Sequence, residues 1–290
     1  MRMAISGKTE VFAVIGDPIE HTLSPVMHNA AFEHLKLDFI FVAFRVTCDE
    51  LENAVRGARA LGIRGLNVTM PHKNAVTEFL DAADPAVKFL GAANTILNQG
   101  GKLRGFNTDG VGALRTLKNN GVTLTGKKVL LLGAGGAGKA VAFALAKEVG
   151  ELCVLNRDVT KARELAGVLE PFGKKIVGSE LSPKQIQQEL RDTDVLINAT
   201  CVGMAPYASE SLVKPDWLKP GISVMDIVYN PAETKLIRIA RAAGAKVIGG
   251  VEMLLHQGAA SFEIWTQCKA PIDVMRNALL SKLSNAGAAV

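Results

Sequence analysis

Two patterns of apolar residues alternate along this chain. Short apolar-rich runs at residues 11–15, 39–46, 66–69, 127–132, 152–155, 195–198, 223–227 and 246–248 predict buried strands. Between them apolar positions recur at helical spacing, most clearly Leu51, Ala54, Val55, Ala58 and Leu61. That spacing predicts helices over 25–35, 49–61, 72–80, 139–149, 160–169, 183–191 and 234–243, another ending near Asn120, and two more over 253–265 and 272–283. Ser24 and Asp49 are placed to cap two of these helices. Pro25 and Pro71 suit first turns, where a missing N–H costs nothing. Residues 94–97 and 102–106 flank Asn98, Gln99, Gly100 and Gly101, a hairpin turn by composition.

Strand–helix alternation up to residue 80 predicts a parallel sheet covered on both faces. A second series restarts at Lys127, after the polar, glycine-bounded connector 121–126. The predicted class is therefore α/β in two domains, divided at or just before the helix that ends near Asn120, with a frayed tail over 284–290. At 290 residues the chain is long enough for two cores. Its 28 glycines and 5% aromatics fit many tight strand–helix turns.

Lys and Arg number 33 against 28 Asp and Glu, giving +5 with no run of like charge. This argues against a nucleic-acid partner and favours small anionic ligands. Cys48, Cys153, Cys201 and Cys268 show neither CxxC nor metal-ligand spacing, and the histidines lack it too, so no metal is expected. The first residues do not read as a signal peptide, and no apolar run has membrane length. A soluble cytoplasmic protein with reduced thiols and no membrane partner is expected.

Candidate chemistry begins in Asn67-Val68-Thr69-Met70-Pro71-His72-Lys73. Asn67, Thr69 and Lys73 fall at the mouth of a predicted strand–helix junction, where α/β proteins bind ligands. A lysine in a first helical turn faces the positive end of the helix dipole. Either an anion compensates it or its pKa is lowered for acid–base work; a solvated surface lysine is the plainer alternative. Thr22 and Ser24, at an earlier helix start, suit a carboxylate ligand or simply an N-cap.

Gly133, Ala134, Gly135, Gly136, Ala137 and Gly138 match G-x-G-x-x-G between a strand and an alanine-rich helix. In that context they form a dinucleotide fingerprint, with the pyrophosphate at the helix start. The next strand ends at Asn156 and Arg157, where an NAD-binding chain carries an acid for the ribose diol. Arg157, with Lys161 and Arg163 beyond it, suits a 2′-phosphate and hence NADP. Asp158 would repel that phosphate and keeps NAD open. Residues 197–200, ending in Thr200, and 226–231, including Ile227, are expected to line the nicotinamide side. A hydride-carrying cofactor implies an oxidoreductase whose first domain holds the substrate and the proton-transfer group.

Taken in order, several stretches resemble the shikimate dehydrogenase family over nearly the whole chain. They are Gly16-Asp17-Pro18-Ile19-Glu20-His21-Thr22-Leu23-Ser24-Pro25, Asn67 to Lys73, Gly91-Ala92-Ala93-Asn94-Thr95, Asn107-Thr108-Asp109-Gly110, the glycine loop, Asn156-Arg157, Asn198-Ala199-Thr200, residues 226–231 and Gln257. The resemblance implies NADP-linked oxidation of the 3-hydroxyl of shikimate, run physiologically as reduction of 3-dehydroshikimate in the chorismate pathway to aromatic amino acids. It implies Lys73 as the acid/base with Asp109 beside it, and Thr22 and Ser24 on the carboxylate. Thr69, Asn94, Asp109 and Gln257 then face the substrate, which makes Asn67, on the same strand end as Thr69, a substrate-side contact as well, and Tyr229 closes on it. The cofactor residues it implies are the glycine loop, Asn156, Arg157, Lys161, Ile227 and Gly250.

The resemblance further implies that the last helices return to the first domain. Residues 1–112 and 253–290 then form the substrate domain and 113–252 a Rossmann-type NADP-binding domain, in a monomer or homodimer. Thr22 stands where the family commonly has Ser, and Asp158 where many members have Thr. These departures leave a quinate/shikimate dehydrogenase using NAD or both cofactors as an alternative. A non-catalytic dinucleotide-binding regulator is a remoter one, since Lys73 and Asp109 are both retained.

Overall fold

The computed structural model describes residues 5–172 and 175–287, with side chains through Ser284. The chain forms two compact units, one holding everything up to Thr108 and again from Gln257, the other Asp109–His256.

The first unit starts with β1 (Glu10–Gly16), α1 (Ser24–His34) and β2 (Phe39–Arg45). A single 3₁₀ turn, Cys48–Glu50, leads into α2 (Leu51–Ala60), then β3 (Gly65–Val68). After a 3₁₀ helix over Ala75–Phe79 come β4 (Ala82–Ala83), α3 (Pro85–Leu90), β5 (Thr95–Gln99) and β6 (Lys102–Phe106). The sheet order is β2-β1-β3-β5-β6-β4. β1, β2 and β3 run parallel, but β5 is antiparallel to both β3 and β6, so the sheet is mixed rather than parallel as predicted. Gly100 and Gly101, at φ of 59° and 81°, close the β5–β6 hairpin in the left-handed conformations that reverse the chain in two residues.

Four local expectations for this unit are corrected. Residues 72–80 do not form an α-helix. The Lys73 carbonyl accepts the Ala93 N–H at 2.8 Å, so the Thr77 N–H turns to Asn74 O at 3.1 Å and winds a 3₁₀ helix instead. Pro71 therefore opens no helix; it sits in the turn between β3 and Ala75. Ser24 is the first residue of α1 and Leu23 its N-cap, because the Leu23 carbonyl accepts the Met27 N–H at 3.2 Å. Asp49 lies inside the 3₁₀ turn, and Glu50 stands at the N-cap of α2 without a side-chain bond.

The second unit carries α4 (Asp109–Asn119), β7 (Lys128–Leu132), α5 (Gly136–Leu145), β8 (Glu151–Asn156), α6 (Val159–Leu169) and β9 (Ile176–Glu180). It continues through α7 (Pro183–Leu190), β10 (Val195–Asn198), β11 (Ser223–Asp226), α8 (Lys235–Ala242) and β12 (Lys246–Ile248). The sheet order is β12-β11-β10-β7-β8-β9, every neighbouring pair parallel, with the order reversing between β7 and β10. That is the doubly wound arrangement of nucleotide-binding folds. β9 was not anticipated: it is a half-exposed edge strand with only Ile176 and Val177 apolar, too few for a period to show.

α9 (Gly250–Thr266) starts in the second unit and passes into the first at Gln257, and α10 (Ile272–Gly287) packs on α1. Where a frayed tail was expected the helix continues through Gly287; residues 288–290 lie outside the described residues. Phe12, Phe32, Phe41 and Phe262 are fully buried around α1 and α9, each side chain contributing roughly 1.5–3 kcal/mol of apolar burial. Trp265 joins them, its Nε1–H donating to Ile96 O at 2.9 Å.

Candidate active site

In the first unit, strand ends gather most of the predicted substrate residues at one edge of the sheet. β1 and β3 finish side by side, Ile15 opposite Val68. A Cβ at Gly16 would collide with the Thr69 methyl, and the Asp17 N–H donates to Met70 O at 3.0 Å. The loop bearing Thr22 and Ser24 thus leaves the sheet beside Thr69. The two hydroxyls lie 3.4 Å apart, Ser24 buried and Thr22 half-buried. β5 begins opposite Asn67, and β6 ends opposite Thr95, which brings Asn94, Asn107 and Thr108 to the same edge.

Lys73 is half-buried in the turn before Ala75, its backbone held to Ala93. The adjoining His72 is buried and hydrogen-bonds Val46 O through Nε2 at 2.7 Å, which anchors this turn to the end of β2. With no α-helix here, the dipole argument for Lys73 does not stand. Its placement rests on the backbone bond to Ala93, next to Asn94.

Asn94 is the hub. Its Oδ1 accepts the Thr108 N–H at 2.8 Å and the Thr95 hydroxyl at 3.1 Å, while its Nδ2 donates to Thr108 Oγ1 at 2.9 Å and Gln257 Oε1 at 3.4 Å. Asn67 Nδ2 reaches the Asn94 carbonyl, Thr95 Oγ1 and Ser261 Oγ at 3.1–3.2 Å, and Thr95 and Ser261 lie 2.7 Å apart. Except for half-buried Gln257, these residues are buried. A polar layer so densely hydrogen-bonded is rigid, and it offers fixed donors and acceptors to a hydroxylated ring. Thr95, Thr108 and Ser261 were not singled out from the sequence. Ser261 had a signal, standing four residues after Gln257 and so on the same helix face.

Asp109 and Tyr229 fall in the second unit. Asp109 is buried as the first residue of α4, directly after Thr108 in the chain. Tyr229 is half-buried, and burial pushes its phenol up.

The predicted cofactor residues lie along the C-terminal edge of the second sheet. Gly133 follows β7 at φ 104°, where a Cβ would lie 2.8 Å from Ala199 O, and a Cβ at Gly138 would collide with the Gly133 carbonyl. Gly135 and Gly136, at the start of α5, face open space within 4 Å. Close packing on one side and bare backbone on the other fit a pyrophosphate against the α5 N–H groups. Ala134 and Ala137 complete the loop, the Ala134 N–H donating to Asn156 Oδ1 at 3.1 Å.

Asp158 proves to be the N-cap of α6. Its Oδ1 accepts the Thr160 N–H at 3.1 Å, and its Oδ2 lies 3.7 Å from Lys161 Nζ. Arg157, Lys161 and Arg163 are exposed. Thr200 donates to Asn198 Oδ1 at 2.7 Å, and Asn198 Nδ2 donates to Asp226 at 2.9 Å. Burial pushes the Asp226 carboxyl up, against hydrogen bonds from Thr234, Val228 and Asn198 that hold it down. Ile227 follows directly, half-buried, and a Cβ at Gly250 would collide with the Val228 carbonyl. Among the described residues no group of three or more His, Cys, Asp or Glu is placed to hold a metal, and no helix is long and apolar enough to cross a membrane.

Three family models match in chain order: the shikimate dehydrogenase substrate binding domain over residues 14–96, shikimate / quinate 5-dehydrogenase over 115–222, and the shikimate 5′-dehydrogenase C-terminal domain over 250–280. The shikimate dehydrogenase (NADP(+)) of Methanopyrus kandleri is 47% identical over 285 residues, 97% of this chain and 98% of that protein. The chain belongs to the shikimate dehydrogenase family. Solved structures of that family superpose closely. The shikimate 5-dehydrogenase of Listeria monocytogenes, in complex with shikimate and NAD, gives a TM-score of 0.90 at 38% identity over 96% of this chain and 99% of that one. A shikimate dehydrogenase in complex with NADP+ gives 0.90 at 42% identity over 97% and 98%.

Proposed function

We propose that the protein is a cytoplasmic, NADP-linked oxidoreductase that interconverts shikimate and 3-dehydroshikimate in aromatic amino acid biosynthesis. The observation that carries this is the buried layer of Asn67, Asn94, Thr95, Thr108 and Ser261, set at the same sheet edge as Thr69 and the backbone of Lys73. When bound, NADP supplies or accepts the hydride. Gly133–Gly138 and the α5 N-terminus would hold its pyrophosphate and Arg157 with Lys161 its 2′-phosphate, Asp158 being engaged as a cap. Asn156, Thr200, Ile227 and Gly250 would shape the rest of that site.

On the substrate side, the Thr22 and Ser24 hydroxyls at the start of α1 take the carboxylate. Asn67, Thr69, Asn94 and Gln257 fix the ring, and Tyr229 completes the enclosure. Lys73 takes the proton of the reacting hydroxyl in oxidation and returns it in reduction, and its cationic form stabilises the developing alkoxide. Asp109 is the acidic partner that keeps this lysine oriented. Lys73→Ala tests the assignment: kcat should fall by about 10²–10⁴-fold with little change in KM for shikimate. Near-normal turnover would remove Lys73 from the role.

A further inference from the structure

Five buried side-chain atoms among the described residues have no hydrogen-bond partner: Glu10 Oε2, Arg64 Nε, His28 Nδ1, His28 Nε2 and Asn67 Oδ1. Glu10 and Arg64 face each other as an ion pair at 3.3 Å. That leaves a buried imidazole and a buried amide oxygen among the described residues; both lie against α9, Asn67 bonded to Ser261 at 3.1 Å and the His28 ring parallel to Phe262, and the Asn67 side chain acts on that ring. The ring sits in an aromatic box, stacked on Phe41 at 4.5 Å, parallel to Phe262 at 6.5 Å and tilted against Trp265 at 5.3 Å. Burial pushes the imidazole down to about 3, so at neutral pH it is uncharged and carries one N–H.

The orientation of Asn67 decides what it needs. The Asn94 carbonyl has no proton to give, so Asn67 must turn its Nδ2 toward it, as observed at 3.2 Å. Its Oδ1 then faces away from the hydroxyls of Thr95 and Ser261 and requires a donor from elsewhere. A neutral histidine has one to offer. An orphan donor beside an orphan acceptor in a dry site is complementary, whereas each alone is costly.

We propose that His28 is a positioning residue of the substrate site, donating its single ring N–H to Asn67 Oδ1 and thereby locking the amide that holds Asn94. The inference rests on the reading of Asn67 and Asn94 as substrate residues. His28 touches no reacting group; it acts through Asn67, and from there through Asn94 to Thr108 and Gln257.

A double-mutant cycle tests it. His28→Phe keeps an aromatic ring in an aromatic box but leaves Asn67 Oδ1 without a donor, so it should fold with a Tm at pH 7 lower by only a few degrees. Its KM for shikimate should rise about tenfold while KM for NADP+ stays put, and His28→Gln, which retains an N–H, should recover part of the loss. In an Asn67→Ala background, His28→Phe should cost nothing more. Losses that multiply in the double variant, or an unchanged shikimate KM in His28→Phe where Asn67→Ala raises it, would overturn the proposal while leaving the substrate site intact. An unchanged KM in Asn67→Ala itself would overturn both. If His28→Phe fails to fold, NMR of the unaltered protein with ¹⁵N-labelled histidine decides. One exchange-protected ring N–H in a single tautomer is expected, and a tautomer-averaged or protonated His28 ring at pH 6 would refute it.

Discussion

Acid should unfold the first unit partly through a single histidine. His28 is fully buried, and burial drives its imidazole from 6.5 to about 3. Between those values the unfolded chain binds a proton that the folded chain refuses, so ν_U exceeds ν_N by one and stability rises with pH. The contribution is complete above pH 6.5 and is lost as pH falls toward 3, at about 1.4 kcal/mol per pH unit. From pH 7 to pH 5 that amounts to about 2 kcal/mol, large against a typical total of about 5–15 kcal/mol. His28→Phe has no such proton to refuse. Urea unfolding at pH 7, 6 and 5 measures the difference, followed by the fluorescence of Trp265, 5.3 Å from His28, in a Trp217→Phe background so that it alone reports. The unaltered protein should lose about 2 kcal/mol more than the variant over that range. Parallel pH profiles for the two would refute the reasoning.

Other substitutions test the cofactor side. Gly138→Ala forces a methyl into the Gly133 carbonyl, and should weaken NADPH binding at least about tenfold in a fluorescence titration, since backbone rather than a flexible side chain must move. Arg157→Ala should raise KM for NADP+ about tenfold and leave KM for NAD+ unchanged, the signature of a lost charge-assisted bond to phosphate. Asp158→Ala should cost about 1 kcal/mol in unfolding free energy, the worth of an N-cap, without shifting preference toward NAD+.

What could be read from the sequence was whatever is enforced locally. The glycine loop was legible because a strand, a turn and a helix must meet within six residues, and Gly133 and Gly138 leave no room for a Cβ. The Gly100–Gly101 hairpin was legible for the same reason. Residues 72–80 were misread because a bond from Ala93, twenty positions from Lys73, takes the carbonyl that an α-helix would need. The antiparallel β5 likewise depends on the partner it meets and not on its own pattern. Asp158 was ambiguous as a letter and became a cap only when α6 was seen to start beside it. His28 and Ser261 were invisible as chemistry, since the first matters through a strand and the second through a helix far away in the chain.

The central claim is tested most directly by the rate of NADPH formation at 340 nm from shikimate and NADP+ with the purified protein. Quinate in place of shikimate and NAD+ in place of NADP+ serve as the controls. Turnover with shikimate and NADP+, at a kcat/KM well above either control, is the predicted result. No turnover with shikimate, or a clear preference for quinate with NAD+, would contradict it.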